Sequence, residues 1–439
     1  MTKFFCQPGG GAVGGDVRVP GDKAISHRVL LLGSIAAGPT HVRGFLESAD
    51  CLVLQTALRE LGVSFSRQSG KLVILGVGAD GLRPSSRPLD LGNSAGAIRL
   101  LMALLAPQPF DSTLTGDAGL MRRSMERIAA PLRLMNADVT TANGFPPVTI
   151  RGGRTLHAID FEMPIPSPQL KAALLIAALF AEGRTHIVDP LPTRDHTERL
   201  IRAFGAEVLR DGTTVAIEGG QSLRGARIDI PGDFSSAAFL ITLGVLNAQR
   251  GLTVRGVGVN PTRTAYLEIL REMGADIRVH PRTPRDNPAR ASTEPVADIE
   301  VRASRLRGIT VPEGLVSPAL DELPAFFIAA ACAEGESLVR GAHELRAKKS
   351  DRLAAMAQGL GRLGVEHELL PDGLWIRGGS GFSGGSVDSF GDHRIAMAFA
   401  VAGSRAAGPL EIRDVANVAT SFPGFVQTAQ SVGLQIEAL

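Results

Sequence analysis

Leu58–Phe65, LRELGVSF, reads as the end of an amphipathic helix, a turn at Gly62 and the start of an apolar strand. The pattern returns at Leu132–Val139 (LRLMNADV), Ile201–Val208 (IRAFGAEV), Leu270–Ile277 (LREMGADI), Leu360–His367 (LGRLGVEH) and Ala429–Ile436 (AQSVGLQI). The six turn residues, Gly62, Asn136, Gly205, Gly274, Gly364 and Gly433, are spaced by 74, 69, 69, 90 and 69 residues. A near-constant period marks a repeated supersecondary unit. Gly or Asn just past a helix fits a left-handed C-cap. The one long interval contains PRTPRDNPARASTEP (281–295), charged and Pro-rich, which is expected to be a surface loop.

Each copy is preceded by the same two elements. A helix that is apolar nearly all round comes first: HRVLLLGSIAA, IRLLMALLA, LKAALLIAALFA, SAAFLITLGVL, LPAFFIAAACA and RIAMAFAVAG. A helix with no polar face is buried. A strand follows, entered through GPTHVRG, DSTLTG, GRTHIVD, GLTVRG, GESLVRG or GPLEIRD. Six buried helices, each followed by a strand-bearing unit, imply an α/β fold with sheets wrapped around helices. RVPGD (18–22) and DIPGD (229–233) lie 211 residues apart, and each opens a run of three units. The expected organisation is therefore two similar domains, residues 20–231 and residues 1–19 plus 232–439. The PGD segments would be crossovers, and the cleft between domains a place for a small ligand.

Composition narrows the function. At 439 residues, with 44% hydrophobic and 21% charged, the chain can fill two or three domain cores. Lys plus Arg number 46 and Asp plus Glu 44, a net charge of +2, which speaks against a nucleic-acid or membrane binder. One Trp and one Tyr leave little for base stacking. Any anion must be held by a local cluster of cations. Cys6, Cys51 and Cys332 are far apart, which excludes a disulfide framework and a Cys-rich zinc site and makes a reduced, cytoplasmic setting the default. No apolar run is long enough to span a membrane, and MTKFFCQPGGGAVGGD lacks the apolar stretch of a signal peptide.

The chemistry gathers at the starts of the buried helices. These are GDKAISHR (21–28), LGNSAGAIR (91–99), PSPQLK (166–171), PGDFSS (231–236), LDELP (320–324) and FGDHR (390–394). Ser, Asn and Asp there are ordinary N-caps. Lys23, Arg28, Arg99, Lys171 and Arg394 are not, because the helix dipole disfavours cations in the first turn. Together they point to an anion site, since helix N-termini attract phosphate and carboxylate. MRRSMER (121–127) and ELRAKKSDR (344–352) add two basic clusters that singly read as solvated helix faces. Asp195 and His196 in PTRDHTER (192–199) suggest a metal only weakly, because adjacent helix residues rarely face one ion. Gly9–Gly11 is weak evidence for a nucleotide loop.

These motifs, in this order, also carry a resemblance. VPGDKAISHR, LGNSAGAIRL, LTGDAGLMRR, PTRDHTER, NPTRT, KKSDRLAAM, FGDHRIAMAF and TSFPGF are similar to the 5-enolpyruvylshikimate-3-phosphate synthases along the whole chain. The resemblance implies two domains of three βαβαββ units each, an inside-out α/β barrel with the helices inside. It implies transfer of the enolpyruvyl group of phosphoenolpyruvate to the 5-hydroxyl of shikimate 3-phosphate with release of phosphate. It implies no metal, no organic cofactor, small-molecule partners only, and a monomer. Lys23, Arg123, Arg352 and Arg394 would hold phosphoenolpyruvate; Arg28, Ser167, Arg194 and Lys348 would hold shikimate 3-phosphate. Gln169 would lie between the substrates, Asp321 would be the base, and His393 would sit near the leaving phosphate. Ala95 would narrow the phosphoenolpyruvate pocket and bring tolerance of glyphosate. Against the family pattern, Ala24, Gly96, Ser124 and Pro168 replace the usual Ser, Thr, Pro and small residue, and Lys349 stands where Glu is usual. Those departures leave open a diverged transferase with another anionic acceptor, or an anion-binding relative without turnover. A UDP-N-acetylglucosamine enolpyruvyl transferase would need a Cys that LTGDAGLMRRS (114–124) lacks.

Overall fold

The computed structural model describes residues 2–8, 12–68, 70–191, 193–282 and 294–439. Gly9–Gly11 and residues 283–293 of the 281–295 insertion lie outside the described residues. The chain divides into two compact units. Among the described residues, unit A contains the chain up to Pro20, residues 231–282 and Pro295–Leu439, and unit B contains Gly21–Ile230 with Glu294.

Each unit is built around three of the six apolar helices. Lys23–Ser34, Ala95–Leu105 and Pro168–Ala178 belong to unit B, and Phe234–Asn247, Leu323–Cys332 and His393–Gly403 to unit A. Their composition explains their position. Leu30–Leu32, Leu100–Leu105 and Phe326–Ala331 are buried on every face, which only a central helix allows. Five of the six are capped as the sequence suggests. Asp22, Ser94, Ser167, Asp233 and Asp392 each accept a backbone N–H of the first turn. Glu322, at the start of the fifth, makes no such cap.

The outer helices end as the repeat requires. All six turn residues adopt positive φ, from 73° at Asn136 to 98° at Gly433. This left-handed conformation closes the helix and aims the chain into the next strand.

The described strands form six sheets, five of four strands and one of three. In the pattern of Asp160–Glu162, Arg184–Val188, Leu209–Asp211 and Thr214–Glu218, the strand before the buried helix pairs parallel with the strand after it. The last strand then pairs antiparallel on the far side, and its hairpin partner takes the edge. This is a βαβαββ unit, and the sheets stay separate and do not close by hydrogen bonds.

Three sheets are completed by chain from outside their own repeat. Gly15–Val17 precedes the first buried helix in sequence, yet it pairs parallel with Leu252–Gly258 of unit A. Arg227–Asp229 precedes the fourth buried helix, yet it pairs parallel with Ala37–Arg43 of unit B. The two strands leading into the PGD segments are thus exchanged between the runs of three. The N-terminal strand Lys3–Cys6 fills the sixth sheet between Leu410–Arg413 and Ile436–Ala438. At the first PGD segment the backbone leaves no room for a side chain: a Cβ on Gly21 would lie 1.8 Å from the Gly44 carbonyl oxygen.

Candidate active site

Polar residues at the helix starts form one cluster in each unit. In unit B, Lys23 Nζ lies 3.1 Å from Asp50 Oδ2. His27, one turn further on, is buried and bonds the Asp50 carbonyl through Nε2 at 3.1 Å. A carbonyl accepts only, so Nε2 carries the proton and Nδ1 is bare. Burial pushes the His27 pKa down to about 4, so the ring is neutral.

Arg28 is also buried, and all its acceptors are uncharged. It donates to Thr197 Oγ1 at 2.7 Å, the Ala24 carbonyl at 3.0 Å and the Pro168 carbonyl at 3.3 Å. Burial brings its pKa down to about 10, which still leaves it a cation at neutral pH. Arg99 donates to Gln169 Oε1 at 2.7 Å and to the Ser124 carbonyl at 2.8 Å, fastening the second helix to the third. Arg123 donates to Asn93 Oδ1 at 2.6 Å, and Asp117 holds the Asn93 amide from the other side. Ser167 caps the third helix and Pro168 takes its first position, where the fixed φ suits a helix start. Ala95 opens the second helix and is nearly buried. A Cβ at Gly96 would meet His27 Nδ1 at 3.4 Å and Gln169 Nε2 at 3.6 Å, an ordinary fit.

Lys171 departs from its expected role. Among the cations singled out at helix starts, it is 1% exposed and bonded to carboxylates: Asp189 Oδ2 at 3.0 Å and Glu198 Oε1 at 2.8 Å. Its charge is consumed inside the protein, so it is not an anion-binding cation.

In unit A the pattern is reversed. Arg352 is buried between two carboxylates, with Nε 2.8 Å from Asp392 Oδ2 and Nη1 3.3 Å from Asp321 Oδ1. Burial would raise the Asp392 pKa, but the Arg352 and His393 charges outweigh it and hold that carboxyl far below the usual range. Arg394 donates to the Asp321 carbonyl at 2.8 Å and lies 3.6 Å from Asp321 Oδ2. Asp321 therefore sits between two guanidiniums. Glu322 is fully buried, bonded by the Ser235 hydroxyl, with Arg263 Nη2 at 3.7 Å and Arg394 Nη1 at 3.9 Å. His393 is buried beside Asp392. Lys348 and Lys349, both half-buried, follow the short helix His343–Ala347 and precede Asp351, which caps Arg352–Arg362.

The sequence reading singled out Asn93 and passed over several other partners. Asp50, Asp117 and Thr197 join Asn93 in orienting side chains in unit B, and Arg263 ties Asp233, Ser235 and Glu322 together in unit A. Arg263 sits in NPTRT, a motif that could have flagged it. Glu294 was hidden in the insertion. Its Oε1 is 2.7 Å from His196 Nδ1, and Asp195, His196 and Glu294 each bring a donor atom within 4.8 Å of the others.

Comparison with known proteins agrees with the fold and with the motifs. Residues 8–429 match the family model for EPSP synthase (3-phosphoshikimate 1-carboxyvinyltransferase). The chain is 54% identical to the 3-phosphoshikimate 1-carboxyvinyltransferase of Methylococcus capsulatus, over 98% of this chain and 97% of that protein. It is 51% identical to that of Alkalilimnicola ehrlichii, over 99% and 96%. The solved EPSP synthase of Acinetobacter baumannii superposes with a TM-score of 0.89 at 45% identity, covering 100% of both chains. The chain belongs to the EPSP synthase (3-phosphoshikimate 1-carboxyvinyltransferase) family.

Proposed function

We propose that this chain transfers the enolpyruvyl group of phosphoenolpyruvate to the 5-hydroxyl of shikimate 3-phosphate and releases phosphate. The observation that carries the reading is the set of cations at buried-helix starts, in a chain that matches this family over nearly its whole length. Two substrates with two phosphates and two carboxylates need such a set.

In unit B, Arg28, Ser167 and Arg194 serve shikimate 3-phosphate, Lys23 and Arg123 serve phosphoenolpyruvate, and Gln169 serves both. In unit A, Lys348 serves shikimate 3-phosphate, while Arg352 and Arg394 serve phosphoenolpyruvate. Asp321 takes the proton of the 5-hydroxyl as its oxygen bonds to the central enol carbon. The methylene carbon gains a proton in that step from the Lys23 ammonium, and the amine so formed takes back the proton that the methyl group loses. Loss of a proton from the resulting methyl group then expels phosphate and restores the double bond. Arg352 and Arg394 flank the Asp321 carboxylate before substrate arrives. An incoming anion competes for those guanidiniums and frees the carboxylate to act as base. His393 assists near the leaving phosphate. The chain works as a monomer, and Ala95 makes it tolerant of glyphosate.

The direct test is phosphate release from phosphoenolpyruvate with and without shikimate 3-phosphate. Acceptor-dependent release is the expected result. Absence of release, with shikimate 3-phosphate bound, would leave a binding protein and remove the transferase reading.

A further inference from the structure

Lys171 has no place in the reaction just described, yet it is among the most deeply buried cations of the chain. Its Nζ donates to Asp189 Oδ2 at 3.0 Å and to the Thr193 carbonyl at 3.1 Å, and it contacts Glu198 Oε1 at 2.8 Å. Asp189 Oδ2 also accepts the Thr193 N–H and the Thr193 hydroxyl, each at 2.8 Å. One ammonium thereby joins three segments: its own helix Pro168–Ala178, the Asp189 and Thr193 stretch, and the helix His196–Ala203. Each segment carries a residue assigned above to shikimate 3-phosphate or to its holder. Ser167 and Gln169 begin the first, Arg194 follows Thr193, and Thr197 of the third accepts from Arg28. Glu198 also acts electrostatically on Arg28, so Lys171, Arg28, Asp189 and Glu198 form a buried group of four charges, with Asp22 and Glu294 acting on Arg28 as well.

Burying four charges is costly, and an apolar core of the same shape would serve stability as well. Such a group persists where it specifies geometry. We infer that Lys171 is a positioning residue, which sets Arg194 and Arg28 at the separation that a phosphorylated alcohol requires. This inference rests on the assignment of Arg28 and Arg194 to shikimate 3-phosphate.

Two variants test it. Thr193→Val removes one link to Asp189 and leaves the charges intact. Lys171→Met with Asp189→Asn and Glu198→Gln removes three of the four charges, and Arg28 keeps Asp22 and Glu294 as its acidic neighbours. For Thr193→Val, the KM and calorimetric Kd for shikimate 3-phosphate rise about three- to tenfold, the size of one hydrogen bond. For the triple variant they rise about ten- to a hundredfold, as displaced binding groups cause. The KM for phosphoenolpyruvate and kcat at saturating acceptor stay within about twofold, a split that general loss of structure does not produce. If the triple variant fails to fold, Thr193→Val decides alone. An unchanged acceptor Kd in folded variants, with normal binding by the unmodified protein, overturns the positioning role only. If the unmodified protein itself does not bind shikimate 3-phosphate, the functional reading falls and this inference falls with it.

Discussion

The two clusters at the helix starts use the same residue type in opposite ways. In unit B, Arg28 rests on a hydroxyl and two carbonyls, so no carboxylate takes up its hydrogen bonds, and Glu198 acts on it only electrostatically. In unit A, Arg352 rests on Asp392 and Asp321, and Arg394 approaches Asp321 and Glu322. A guanidinium held by neutral acceptors retains its pull on an anion. A guanidinium held by carboxylates spends that pull on them and fixes them in place. One cluster is suited to binding a permanently charged ligand, the other to presenting a carboxylate that acts.

The strongest way to break this contrast is at the carboxylate. Asp321→Asn is expected to lower kcat by on the order of 10²–10⁴ while shikimate 3-phosphate still binds. Retained turnover would remove Asp321 from its role as base.

The next effect is on stability and differs between the units. Arg352→Met leaves Asp392 and Asp321 without their shared cation and is expected to cost roughly 3–5 kcal/mol in urea unfolding. Arg28→Met leaves hydrogen-bonded partners that are all uncharged, with Glu198 still held by Lys171, and is expected to cost about 1–3 kcal/mol, with acceptor binding lost. Equal destabilisation by the two would erase the distinction.

A pH series sharpens it further. The folded-state pKa of His27, about 4, lies below its ordinary 6.5, so the unfolded chain binds the extra proton first. Stability therefore rises with pH between those two values, by on the order of 3 kcal/mol. The Asp392 carboxyl, depressed in the folded state, adds a further loss below its ordinary 3.8. Thermal melts of His27→Gln, which keeps a donor for the Asp50 carbonyl, should lose the slope above pH 4. A slope that survives would assign it to other groups.

The smallest effect concerns an inhibitor. Ala95 fills space at the start of the second buried helix, and glyphosate is expected to inhibit only weakly. A sub-micromolar inhibition constant would contradict that.

Much of this was legible in the residues because the signals are local. Helix burial follows from a missing polar face, as in Leu323–Cys332. Caps such as Asp22 and Ser167 act on N–H groups three residues away. The six left-handed turns follow from Gly and Asn at one position of a repeat. The cations near the helix starts were legible too, though Arg28 and Arg99 fall in the second turn of their helices and not the first.

Only the tertiary structure decided how the pieces were joined. The short strands Gly15–Val17 and Arg227–Asp229 each pair away from the repeat they precede in sequence. Sheet hydrogen bonds join backbone to backbone, so three residues carry no mark of their partner. The same holds for charge. Lys171 and Arg28 look alike at a helix start, yet one is consumed by Asp189 and Glu198 and the other is not. What a cation can bind depends on which groups already surround it, and those groups here come from as far as 169 residues away.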